Sequence, residues 1–426
     1  MKILFVYPRF QRHADDNPEL RSYVPMEEYL GSPSLGIAMI AAVTPPGWEI
    51  EYRDDRLEPA GGATDADLVA MSFFTPAASR AFELAAAFRA QGKPVVAGGI
   101  FPSLMPDEVA PHVDSVVVGE AEAVWPRLLA DFIAGALAPR YAATTEPDSL
   151  PLPRLDLYFA AERPGFRPDD YPAQLSRGCG LTCHACALPT SMGRGPRMFP
   201  LENVAGQLAA LHAAGKRACL SEDTSWFPGA PRRRLGEVFD HVIAAGGPVI
   251  SYVGISMPMI LLAPPDLLHK AKAAGVDMFY LVGGFDPITM RAFNGDARAL
   301  ARAEVAVARC HEHGIEPYTS FLIGLDDDDE GTVDRMLEFT ARARIRKAEF
   351  AVFTPYPGTP SWRRLAAEGR ILHRQWHRYN DANVVFRPAR MSADALHEAY
   401  LRLWRDFYAG RSDLLELSTA ARTIQF

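Results

Sequence analysis

The chain has 426 residues, 48% of them hydrophobic, which is enough for two substantial cores and for two or three domains. Lys and Arg number 44 against 52 Asp and Glu, so the formal net charge is −8. That balance excludes the basic face a nucleic-acid partner requires, and Arg232-Arg233-Arg234 reads as a solvated helix start.

No apolar run reaches membrane-spanning length, and residues 1–8 read as a buried strand rather than a signal peptide. Five cysteines in a chain this long do not make a disulfide framework. A cytoplasmic protein with no membrane partner is expected.

In chain order, strands are predicted at 3–7, 49–53, 68–73, 95–97 and 115–118. Helices are predicted at 35–43, with Ser34 as candidate N-cap, at 76–90, and from Gly119-Glu120 onward to about 134. This alternation implies a parallel, doubly wound, Rossmann-like sheet over residues 1–140. A Pro-, Ala- and Thr-rich linker is expected at 141–170, where Leu150-Pro151-Leu152-Pro153 excludes helix.

Strands are next expected at 174–177, 218–221, 249–255, 278–282, 318–323 and 349–353. Helices are expected at 204–214, 235–245, 265–274, 298–313 and 331–343. Six strands joined by helices describe a partial (β/α)6 TIM-like barrel over 171–370, with chemistry at the carboxyl ends of its strands. A small helical extension, with a helix at 393–409, completes the α/β fold over 371–426.

The densest chemical signal is Ser176-Arg177-Gly178-Cys179-Gly180-Leu181-Thr182-Cys183-His184-Ala185-Cys186, after the first expected barrel strand. Its spacing is C-x3-C-x2-C. A zinc site would want a fourth Cys or His from a second pair, and no second C-x2-C exists. Three thiolates suit a [4Fe–4S] cluster with one iron left open, unlike the four-thiolate clusters built only for electron transfer. Cys219 and Cys310 lie in apolar patterns and read as buried small hydrophobes.

A C-x3-C-x2-C loop after the first strand of such a barrel resembles the radical S-adenosylmethionine (SAM) superfamily. The resemblance extends to Glu222-Asp223, to Phe321-Leu322-Ile323-Gly324-Leu325-Asp326 and to Thr354-Pro355-Tyr356-Pro357-Gly358-Thr359-Pro360. It implies that Cys179, Cys183 and Cys186 hold the cluster. It also implies SAM contacts at Glu222, Asp223, Gly284, Asp286, Ile323 and Tyr356, with Tyr356 also a candidate catalytic residue.

In the N-terminal part, Pro33-Ser34-Leu35-Gly36-Ile37-Ala38, 67–72, Val95-Val96-Ala97-Gly98-Gly99 and Val118-Gly119-Glu120-Ala121-Glu122 resemble the cobalamin-binding domain of one subfamily, the class B methylases. Cobalamin contacts are then expected at Ser72, Phe73, Phe74, Thr75, Gly98, Gly99 and Glu120. The pattern Asp-x-His-x-x-Gly, which supplies a lower-axial histidine, does not occur, so cobalamin without a histidine ligand is expected.

Two positions depart from the superfamily pattern. Ala185 stands where an aromatic residue commonly packs on adenine, and Gly283-Gly284 where polar residues commonly meet SAM. Asp286 offers itself to the ribose, or caps the next helix. Arg194 and Arg197 are candidates to meet a carboxylate of SAM or substrate, or are solvated loop arginines.

The implied activity is methylation of an unactivated carbon of a small molecule, with one SAM methylating the cobalamin, a second giving the deoxyadenosyl radical, and an external electron donor. The alternatives are a non-methylating rearrangement, cyclisation or transfer of another SAM fragment with the same cofactors, and a non-catalytic cobalamin or redox sensor.

Overall fold

The computed structural model describes residues 1–23, 32–164, 166–179, 183–220, 230–246, 250–282, 293 and 296–411. The near-continuous apolar runs of the N-terminal part become strands buried on both faces, as parallel sheets require. They are β1 (Lys2–Tyr7), β3 (Leu68–Ser72), β4 (Val95–Gly98) and β5 (Ser115–Gly119), flanked by the more exposed edge strands β2 (Glu49–Asp54) and β6 (Arg140–Ala143). All pair in parallel, in the order β2-β1-β3-β4-β5-β6. The order reverses between β1 and β3, so the ligand crevice of this doubly wound sheet opens at their carboxyl ends.

Two local expectations are corrected here. The first strands end the N-terminal sheet later than expected, because β6 lies in the stretch read as linker. As an edge strand it buries only Tyr141, which leaves almost no hydrophobic pattern to read. The helix Leu35–Ala42 is not capped by the Ser34 side chain. Tyr158, from the following segment, reaches it instead: its hydroxyl donates to the Ser34 carbonyl at 2.7 Å and accepts from Ala38 N–H at 3.1 Å.

The second sheet contains β7 (Asp170–Pro172), β10 (Arg217–Leu220), β11 (Ile250–Ile255), β12 (Met278–Val282), β13 (Glu316–Ile323) and β14 (Lys347–Val352). They are parallel and adjacent in chain order, and they form the partial barrel. The first barrel strand therefore precedes the expected 174–177.

Beyond Pro172 the chain leaves the sheet because a side chain takes its backbone groups. Gln207 accepts from Gln174 N–H at 2.9 Å and donates to the Gln174 carbonyl at 3.2 Å. The expected strand then reduces to β8 (Ser176–Arg177), which pairs antiparallel with β9 (Arg197–Met198).

The C-terminal helix Ala393–Tyr408 covers the open edge at β14. The Tyr408 hydroxyl donates to the Ala348 carbonyl at 2.6 Å, and Trp404 Nε1 donates to the Phe350 carbonyl at 3.1 Å, so the edge presents fewer free backbone groups. The acidic run Asp326–Glu330 is consumed locally. Asp328 accepts from Gly324 and Leu325 N–H, both at 2.8 Å, while Asp326 pairs with Arg364 and Arg370. Among the described residues no helix is long and apolar enough to cross a membrane.

Candidate active site at the domain interface

The three cysteines begin two residues after Arg177, and local geometry holds the loop at its entrance. Gly178 has φ +78, and a Cβ there would lie 2.4 Å from the Gly195 carbonyl oxygen. Cys179 N–H donates to the Gly193 carbonyl at 3.3 Å. The Gly193-Arg194-Gly195 segment is thus the seat of the cysteine loop. Cys179 is buried and Cys183 and Cys186 are half-buried. Burial pushes the Cys186 thiol up to about 12, with Cys183 and Cys179 adding like charge.

Binding a metal would require these thiols as thiolates. Among the described residues no three His, Cys, Asp or Glu side chains converge as a single ion would require. A cubane asks a wider spacing, because each thiolate binds its own iron.

Glu120 has a different task from the one expected of it. Its carboxylate accepts from Arg197 at 2.5 and 2.8 Å and from Thr145 N–H at 2.6 Å. Arg197 does meet a carboxylate, and it is the protein's own. Beside it, Arg177 donates to Glu122 at 2.6 Å and to Gln174 Oε1 at 3.1 Å, with the Phe199 ring 5.6 Å away. Glu120, Glu122, Arg177 and Arg197 are all largely shielded from solvent. Two carboxylates from the end of β5 therefore lock two arginines that flank the cysteine loop. Arg177 and Glu122 were missed in the sequence, although Arg177 directly precedes Gly178-Cys179.

At the crevice, Ser72 and Phe74 are half-buried and Thr75 is buried. Phe73 is 3% exposed, and its ring packs between Phe82 and Phe101, so it has no side-chain surface to offer a ligand. The expected role of Gly98-Gly99 also changes. A Cβ on Gly99, at φ +98, would lie 2.8 Å from Phe73 N and O, so this glycine makes room for protein backbone. A Cβ on Gly98 would meet only ordinary contacts. His13 is half-buried, its Nδ1 lies 2.9 Å from the Tyr400 hydroxyl, and desolvation holds its pKa down to about 4. His112 stacks on Phe82 at 3.9 Å.

A family profile described as the B12 binding domain matches residues 30–129. Bacteriochlorophyllide d C-12(1)-methyltransferase of Chlorobaculum tepidum is 26% identical over 88% of this chain and 82% of its own length. Hopanoid C-2 methylase of Rhodopseudomonas palustris is 25% identical over 96% of this chain and 76% of its own. The solved structure of the radical S-adenosylmethionine methyltransferase TsrM from Kitasatospora setae, with cobalamin and [4Fe–4S] cluster bound, covers 95% of this chain and 81% of that one with a TM-score of 0.65 at 16% identity, a likeness of fold. The chain carries a B12-binding domain and over most of its length is similar to these methyltransferases.

Four of the SAM residues that the resemblance implies, Glu222, Asp223, Gly284 and Asp286, lie outside the described residues. Ile323 is buried in the main core, and its carbonyl accepts from Phe353 N–H at 2.7 Å. Tyr356 is half-buried and donates to Asp381 at 2.8 Å. Its neighbourhood includes Cys186, and burial raises its pKa well above the ordinary tyrosine value. Ala185 is buried in the main core.

Tyr318 lines the concave side of the barrel with Cys219, Tyr252, Met278 and Tyr280, a cluster separate from the main core. Among these groups stands Glu349, half-buried, accepting from Tyr280 at 2.5 Å, with Ser320 and Tyr318 as further partners. Burial raises its pKa to about 7.

A carboxyl whose folded pKa exceeds its unfolded one stabilises the fold fully below the unfolded pKa, and the contribution is lost as pH rises through the folded pKa. Raising the pH from 4.5 to 8 should therefore cost the barrel on the order of 1–2 kcal/mol, allowing for partial exposure. Denaturant titrations of wild type and Glu349→Gln check this: the wild-type curve should slope downward over that window and the variant's should be flatter. Equal slopes would remove Glu349 as the cause.

Proposed function

We propose that this protein is a cobalamin-dependent radical SAM enzyme that methylates an unactivated carbon of a small molecule. The observation that carries the reading is a C-x3-C-x2-C loop seated on Gly193–Gly195 and locked by Arg177 and Arg197 to the end of β5 in a B12-binding domain. Relatives across most of the chain's length are named as methyltransferases of bacteriochlorophyllide and as a hopanoid methylase.

When bound, the cluster and cobalamin supply a reducing electron at SAM and a carrier for its methyl group. Cys179, Cys183 and Cys186 would hold the cluster as thiolates. Glu222 and Asp223 would receive the ammonium of SAM, with Gly284 and Asp286 as further SAM contacts that the resemblance implies. Ser72, Phe74 and Thr75, at the β1/β3 crevice, would line the cobalamin site, with Gly98 and Gly99 shaping the adjoining strand end. The substrate would lie between the two domains. An external donor would supply the electron.

Reconstituted, reduced protein given methyl-labelled SAM and tetrapyrrole, polycyclic terpenoid or indole candidates should release S-adenosylhomocysteine and 5′-deoxyadenosine and place the label in the product. Ala185, which puts no ring on adenine, favours a second reading in which another SAM fragment is used or the substrate is rearranged. An unlabelled product would select it. Release of neither nucleoside product would favour a cobalamin or redox sensor. Cys183→Ala should lower 5′-deoxyadenosine formation by a factor of about 10³ or more, since the electron path is removed.

A further inference from the structure

We infer that Asp381 is a positioning residue for the cluster site: acting through Tyr356, it sets the turn that connects the cysteine loop to the cobalamin-binding domain. The inference rests on the reading that SAM binds at the cluster.

Asp381 has φ +62, and Arg344 is the other non-glycine residue with positive φ among the described residues. Side chains rarely adopt that conformation unless their surroundings impose it. Here the segment is held from two directions. From the barrel, Val352 N–H donates to the Asp381 carbonyl at 2.7 Å. From the N-terminal domain, the Asp16 carboxylate accepts from Asn380 and Asn383 at 2.8 and 2.7 Å, and Asn17 donates to the Ala382 carbonyl at 3.0 Å. Glycine would satisfy this backbone without strain. What the aspartate adds is its carboxylate, and that group does not cap its own loop. It accepts from the Tyr356 hydroxyl at 2.8 Å, with the Thr354 hydroxyl as a second partner.

Tyr356 in turn heads a tight turn. Its carbonyl accepts from Thr359 Oγ1 at 2.6 Å and from Thr359 N–H at 3.2 Å. Two residues on, Gly358 has φ +78, and a Cβ there would lie 3.1 Å from the Leu104 carbonyl oxygen, in the helix Ile100–Leu104 that follows Gly98-Gly99. Just beyond, Ser361 N–H donates to the carbonyl of His184, between Cys183 and Cys186, at 2.9 Å. One short turn thus touches both the cobalamin-binding domain and the cysteine loop, and Asp381 holds its first residue.

The test compares Asp381→Asn, Asp381→Gly and Tyr356→Phe in the reconstituted full-length holoenzyme. Asparagine and glycine both accept the positive φ, but only asparagine keeps an oxygen for the Tyr356 hydroxyl. The readouts are melting temperature, iron content, the EPR spectrum of the reduced cluster with and without SAM, and the KM for SAM alongside kcat for 5′-deoxyadenosine formation.

In wild type and Asp381→Asn, SAM should shift the EPR spectrum. In Asp381→Gly and Tyr356→Phe, with iron content and melting temperature retained, the shift should shrink and the KM for SAM rise roughly tenfold, about the worth of one hydrogen bond to a charged group. A wild-type EPR shift and KM in Asp381→Gly would overturn the inference, and so would a loss of iron with a lowered melting temperature, which marks a purely structural role. If SAM leaves the wild-type spectrum unchanged, the SAM reading itself fails and takes the inference with it.

Discussion

Gly178→Ala should leave the protein unable to retain its cluster. Two costs combine at this position. The residue has φ +78, where a Cβ costs about 1–2 kcal/mol by itself. The new Cβ would also sit 2.4 Å from the Gly195 carbonyl oxygen and 3.2 Å from that of Gly193, both backbone atoms that no rotamer change can move aside. The segment 193–195 must therefore shift, and it carries the carbonyl that receives Cys179 N–H. A local loss of ~3 kcal/mol or more is expected, concentrated where the first thiol is placed. Iron and sulfide content after anaerobic reconstitution, with the visible spectrum, measures the outcome. A variant that takes up wild-type iron would show that the loop has another way to close.

The second large effect is expected at the arginine two residues before the first cysteine. Arg177→Met keeps much of the side chain's apolar bulk but strips Glu122 of its 2.6 Å partner and leaves Glu120 with Arg197 and the Thr145 N–H. An uncompensated buried carboxylate should cost about 3–5 kcal/mol. Arg177→Lys should recover only part of that, because an ammonium cannot reach Gln174 and Glu122 in the planar arrangement the guanidinium uses.

Pairing Arg177→Met with Glu122→Gln removes both charges, so the double variant should be more stable than the sum of the two singles predicts. Equilibrium unfolding of the four proteins gives the coupling energy. Additive effects would mean that the pair does not hold the domains together.

Much of this fold was legible because buried parallel strands and amphipathic helices leave strong local periodicity. The strands at 3–7, 68–73, 278–282 and 318–323 emerge close to their expected limits, as does the helix ending at Tyr408. Errors fall where a distant side chain decides the backbone's partner. Gln207 draws Gln174 out of the ladder, and Tyr158 replaces Ser34 at the start of Leu35–Ala42. The helix Pro360–Ala367 was readable and missed: Thr359 accepts from Trp362 N–H at 3.2 Å and proline opens the first turn, both ordinary start signals.

By itself the sequence determined the cysteine motif, the order of strands and helices, and the place of the cysteine loop at the head of the barrel, because spacing and periodicity are properties of neighbours along the chain. Only the tertiary structure decided what the charged and strained residues do. Glu120, expected as a cobalamin contact, has its oxygens taken up by Arg197 and Thr145, brought beside it by packing. Ile323, expected as a SAM contact, is buried in the main core. Asp381 carried no signal at all, since a positive φ and a hydrogen bond across to Tyr356 exist only once the barrel, the N-terminal domain and the extension have closed on one another. Partners of a buried charge are chosen by folding over separations of tens to hundreds of residues, and a local pattern records none of them.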